Sequence, residues 1–169
     1  RLTPILTTST IDVFRLSRAD RDPRRRVPMR IEFCESFNLP VQEVYEFLRS
    51  PADWPRLYGS YGDVIDYGNG WLGVPIKNFP FPLVARTTED VPCQRVRWDL
   101  GGFWRGDGEV NFEVEDGVTR VTGYETVRVP YLLFLAPLAE RLLLEKRFQG
   151  IWRKGWRRLH AMEPSSDAS

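Results

Sequence analysis

Apolar and polar positions along the chain change period twice, and the changes mark out its elements. From Met29 the run RIEFCESF places Ile31, Phe33, Glu35 and Phe37 on one side, the two-residue period of a half-buried strand. LPVQEVYEFLRS follows with Val41, Val44, Tyr45 and Leu48 at helical spacing and with Pro40 suited to a first turn. SPADWPRLYGSYGDV, residues 50–64, then crowds Trp54, Pro55, Tyr58 and Tyr61 among glycines. It reads either as a helix-to-strand corner or as the rim of a pocket. Short extended runs come next between turn signals: DVIDY, WLGVPI, PLVARTTED, QRVRWDL, FWRGDGEVNFEVEDG and TRVTGYETVRV. Val96, Trp98 and Leu100 share one side of their run, and so do Val110, Phe112 and Val114, which predicts an antiparallel meander with one apolar face. From Pro137 to Met162 the period becomes helical. Leu144, Phe148, Ile151, Gly155, Leu159 and Met162 recur at three and four residues, flanked by Trp152 and Trp156, with arginine and lysine in most other places. Gly150 and Gly155 each cost about 1 kcal/mol relative to alanine in an exposed helix, so they predict a bend or a close approach to the sheet.

Residues 1–28 differ from this pattern and end in the charge-dense RADRDPRRRVP, which argues against a packed element. They read as an N-terminal extension, with Ile11, Val13, Phe14 and Leu16 able to form one extra strand. Residues 29–163 read as one domain and residues 164–169 as a polar tail.

The order of elements and three local signals carry a family resemblance. FNLPVQEVYEFLRSPADWP resembles the opening of the START-like (SRPBCC) superfamily, GEVNFEVEDGVTRVTGYETV its last hairpin, and LAERLLLEKRFQGIWRKGWRRLHAME its terminal helix. That superfamily includes polyketide cyclases and aromatases, lipid-transfer domains and Bet v 1-like plant proteins. The resemblance covers about residues 29–163. It implies an α+β helix-grip fold: a curved antiparallel sheet of about seven strands wrapped around the long C-terminal helix, with two short helices after the first strand. It also implies a cavity between sheet and long helix, with Trp54, Pro55 and Tyr58 near one end.

Composition sharpens this picture at one point. Aromatic residues make up 13% of the chain, with six Trp, six Tyr and ten Phe, enough to wall a large apolar space or to fill a heavy core. Charge excludes more than it suggests: 24 Lys and Arg against 23 Asp and Glu leave a net +1, a weak field for nucleic acid or anionic membrane. The basic face of the terminal helix is expected to be solvated surface, and no nucleic-acid partner is expected. Cys34 and Cys93 are too few for a disulfide framework and read as free thiols. No run reaches the roughly 18 apolar residues of a membrane span, and the expected location is the cytoplasm. PYLLFLAPLAERLLL, residues 130–144, is apolar on nearly every side. It is either cavity lid and core or a surface for transient contact with a membrane or partner.

Candidate chemistry is sparse. His160 is the only histidine, which rules out a catalytic triad built on a second one, and its place near the helix end suits contact with the last carbonyls. No spacing suits a metal, and no cofactor is expected. The glycines of GNGWLG and GGFWRGDG read as turns and bulges that let a sheet curl. Polar residues on apolar strand faces are the sharper signal. Glu35 shares parity with Ile31, Phe33 and Phe37, and Glu125 shares parity with Val121, Val127 and Val129. Neighbouring first and last strands would bring the two carboxylates together in a partly dry space and raise their pKa, the condition for a general acid or base. Arg86 could neutralise one of them.

Three functions follow as alternatives. One is a binding protein for a hydrophobic or aromatic small molecule, lipid-like or polyketide-like, lined by Trp98, Trp104, Phe112, Tyr124, Phe148, Ile151 and Trp152, with Trp54 and Tyr58 at the mouth. Another is a metal-free cyclase, aromatase or dehydratase in which Glu35, Glu125, Tyr124 or Arg86 moves protons. The last is a protein-interaction or assembly module of the co-chaperone kind, favoured if the cavity is filled by the protein's own aromatics.

Overall fold

The structure, a computed structural model, describes residues 29–77, 79, 81–128 and 138–164, with the backbone alone for 138–144. The expected N-terminal extension, the side chains of the apolar run 130–144 and all of the tail but Pro164 lie outside the described residues.

The alternating runs form strands where their period predicts. β1 (Met29–Phe37) leads through Pro40 into α1 (Val41–Leu48) and the five-residue α2 (Trp54–Tyr58). A meander follows: β2 (Ile65–Gly68), β3 (Trp71–Val74), β4 (Leu83–Val91), β5 (Arg95–Gly101), β6 (Arg105–Glu115) and β7 (Val118–Arg128). α3 (Leu138–His160) is the last described element. The seven strands form one antiparallel sheet in the order β1-β7-β6-β5-β4-β3-β2, so the first strand pairs with the last. The β6–β7 turn is Asp116-Gly117 with φ of 51° and 79°, between paired Glu115 and Val118. Both turn residues lie in the left-handed region, the two-residue geometry that matches strand twist.

Apolar parity decides which face of the sheet is covered. Ile31, Phe37, Ala85, Val96, Leu100, Val110 and Val121 are buried on the inner face. Against them lie Phe148, Trp152, Trp156 and Leu159 of α3, at helical spacing and all buried. Burial of each large side chain contributes about 1.5–3 kcal/mol, so this stripe is what holds helix to sheet.

One glycine expectation needs correction. A Cβ at Gly155 would lie 2.6 Å from the Tyr58 ring and 3.1 Å from Leu57. The close approach therefore admits the short helix α2, not the sheet. Arg158 reinforces the contact by donating to the Arg56 and Leu57 carbonyls at 2.7 and 3.2 Å.

Candidate functional site

Register brings four residues into one row across the inner face. Trp98 of β5 stands opposite Gly108 of β6, Gly108 opposite Glu125 of β7, and Glu125 opposite Ile31 of β1. Gly108 has no side chain, so the Trp98 indole lies across it; a Cβ there would fall 2.3 Å from the ring. The indole thus reaches toward the Glu125 carboxylate from one side. Trp152 of α3 reaches it from above, its Nε1–H donating to Glu125 Oε2 at 2.8 Å.

Glu125 is 4% exposed. Burial pushes its carboxyl up to about 7, because desolvation penalises the charged form more than the two indole N–H groups stabilise it. The Trp98 N–H lies close enough to favour the anion but lacks full hydrogen-bond geometry, and it has no other partner. Burial, with the charge of Glu125 nearby, holds the Tyr58 hydroxyl well above its ordinary range.

Around this carboxyl is a chamber lined by Trp54, Tyr58, Ile76, Leu83, Phe148, Ile151 and Trp152. Its walls interlock: Trp54 meets Trp98 edge-on at 5.6 Å, Tyr58 meets Trp152 edge-on at 5.8 Å, and Phe33 stacks on Trp152 at 4.3 Å. The cavity left among them is only about 10 Å³. That is room for one water. The expected open cavity is, in this conformation, filled mostly by its own aromatic walls.

Beyond Tyr58, Ile76 and Ile151 the chamber meets a groove on the surface, where about 610 Å³ admits water. Its floor is Tyr58, Ile76, Phe79 and Ile151, and its rim is Lys77, Arg147, Lys154 and Arg157.

Several expected site residues lie elsewhere. Glu35 faces inward but pairs with Val121, four residues along the sheet from Glu125, about 13 Å at strand rise. The two carboxylates therefore do not meet. Glu35 lies 3.6 Å from His160 Nε2, and the other ring nitrogen is 2.9 Å from Glu163, so His160 links carboxylates instead of contacting helix-end carbonyls. Arg86 follows Val84 onto the outer face, because Leu83 and Ala85 are the buried parity of β4. There it sits 4.8 Å over the Trp71 ring and 3.2 Å from Asp99. Tyr124 is also outside, under the Arg30 guanidinium at 3.8 Å. Phe112 is buried but meets Tyr45 of α1 at 5.8 Å, away from the chamber. Trp104 stands behind Phe148, 5.3 Å from it. Sequence reasoning missed Ile76, Leu83 and the groove's Lys77, which sit in irregular or weakly patterned stretches. It noted the cations of α3 but not that they rim a groove.

As a sequence, the chain matches no family model and no curated protein. As a structure it has clear neighbours. A START superfamily protein from Mycobacterium smegmatis superimposes with a TM-score of 0.59 at 6% identity, covering 79% of this chain and 98% of that one. Ara h 8.0201 gives 0.55 at 13% identity, covering 78% and 97%. The Aha1 dimer from Colwellia psychrerythraea gives 0.55 at 12%, covering 78% and 96%. The chain has the helix-grip fold of these structures, the fold that the resemblance of its sequence implies.

Proposed function

We propose that this protein binds a hydrophobic or aromatic small molecule, whose apolar end enters between α2 and α3 toward Glu125. The observation that supports the reading is continuity: Tyr58, Ile76 and Ile151 line both the inner chamber and the surface groove. The groove supplies room that the chamber lacks, and displacement of α2 by the incoming molecule would join the two. Likeness of fold to a START superfamily protein agrees with this reading. Titration with the apolar probe N-phenylnaphthylamine tests it. One molecule is expected to bind per chain, and Ile151→Trp, which fills the junction, should weaken binding at least about tenfold while the protein stays folded. Absence of binding would leave the interaction-module reading, which the nearly filled chamber favours.

A second reading has its own observation. A carboxyl raised to about 7 in a dry aromatic site can hold and return a proton near neutral pH, as a cyclase or dehydratase step requires. Native mass spectrometry of protein purified from its source would identify a co-purifying molecule. Exchange of its acidic C–H protons with heavy water, lost in Glu125→Gln, would support catalysis; exchange unchanged in that variant would remove Glu125 from any such role.

A further inference from the structure

The groove beside the chamber combines two properties that select one class of ligand. Its floor is apolar and aromatic, while its rim carries Lys77, Arg147, Lys154 and Arg157, and among the described residues no Asp or Glu lines it. In a chain with nearly equal numbers of acidic and basic groups, such segregation is uncommon. Three arginines of the sheet are paired instead: Arg86 with Asp99, Arg95 with Glu89, and Arg97 with Glu89 and Glu109. Among the described side chains, none of the four groove cations lies within ion-pair distance of a carboxylate. Arg147, the adjacent pair Gly150 and Ile151, Lys154 and Arg157 recur at three- and four-residue spacing along α3, so one helix face presents cation, gap, apolar floor and cation in turn. Lys77, from the loop after β3, closes the opposite side. Gly150 gives the groove its width, since a Cβ there would meet nothing within 4 Å.

We propose that the groove takes an amphipathic organic anion free in solution, with its apolar or aromatic body over Tyr58, Phe79 and Ile151 and its single carboxylate, sulfonate or phosphate among the four cations. Charge complementarity carries the assignment: like charges gathered beside a low-dielectric floor are relieved by an anion. The inference rests on the small-molecule reading above and adds the charge of the ligand to it.

The test compares N-phenylnaphthylamine with anilinonaphthalene sulfonate, which share a skeleton and differ by the anionic group. The sulfonate is expected to bind at least about tenfold tighter at low ionic strength, with the advantage shrinking as salt is raised. The Lys77→Gln, Lys154→Gln double variant should reduce the sulfonate to the affinity of its neutral analogue and leave the analogue unchanged. Gly150→Leu, which adds a good helix former where there is space, should block both probes while the protein stays folded. Equal affinities would overturn the inference and leave the small-molecule reading standing; failure of both probes would overturn that reading too. Sulfonate binding that survives Gly150→Leu would place the anion elsewhere on the basic surface, against the inference. Binding to phosphatidylglycerol vesicles with no binding of the free sulfonate would assign the cations to a lipid surface and also overturn it.

Discussion

Glu125 sets the response of the molecule to pH. Its folded-state pKa, at about 7, lies above the ordinary carboxyl value of 4.5, so the folded protein holds a proton that the unfolded chain releases. Below about 4.5 both states are protonated and the group costs nothing. Between 4.5 and 7 stability falls as pH rises, and above 7 the full cost of a buried charge is present, about 3 kcal/mol from the size of the shift. Glu125→Gln should therefore be as stable as the natural protein at pH 4.5 and about 3 kcal/mol more stable at pH 8, read by urea unfolding across that range. An equal effect at both pH values would show that ionisation is not the cause. Gly108 is the second sensitive position. Gly108→Ala places a methyl group 2.3 Å from the Trp98 ring and should cost about 1–3 kcal/mol by overpacking. The inward parity of Glu125 was legible in the sequence, because alternation with Val121 and Val127 declares a face. The row Trp98–Gly108–Glu125 was not, since it depends on registers across three strands that no local pattern encodes. The same gap explains Arg86: its parity with Val84 was correctly read, but not that Val84 faces outward.

At the level of elements, α3 carries two glycines that one substitution should separate. Gly150→Ala fills open space and gains helix propensity, so it should stabilise by up to about 1 kcal/mol. Gly155→Ala gains the same propensity but drives a Cβ to 2.6 Å from Tyr58. It should push α2 off α3 and destabilise by about 1 kcal/mol or more. Paired urea unfolding curves of the two variants check both signs, and a stabilised Gly155→Ala would show that α2 is not held where the structure places it. The order and approximate limits of the described elements followed from period, turn signals and Pro40, since nearly every strand and helix has a buried face of its own; β2, exposed along its whole length, followed from its turn signals alone. Partners of the glycines did not follow, because a residue without a side chain leaves no mark in a hydrophobic pattern.

For the whole molecule, the decisive quantity is the volume between sheet and helix, and it was the least legible. Thirteen per cent aromatic residues allow an open cavity and a filled one equally, and only side-chain placement decides. With room for about one water at Glu125, the apolar end of a ligand must wait for α2 to move before it enters the chamber. On rapid mixing with N-phenylnaphthylamine, the observed rate should level off at high probe concentration, at the rate of opening. A rate that rises linearly without limit would mean that the site is already open. The wall itself has an optical consequence. Trp54, Trp98, Trp152 and Trp156 form a chain of indoles with ring centres 5.1–6.3 Å apart at fixed tilts. Chromophores so close share their excitations, which should give the near-ultraviolet circular dichroism of this protein a paired band of opposite signs. Any molecule that parts the wall would break the pairing, so the protein reports its own opening without a label.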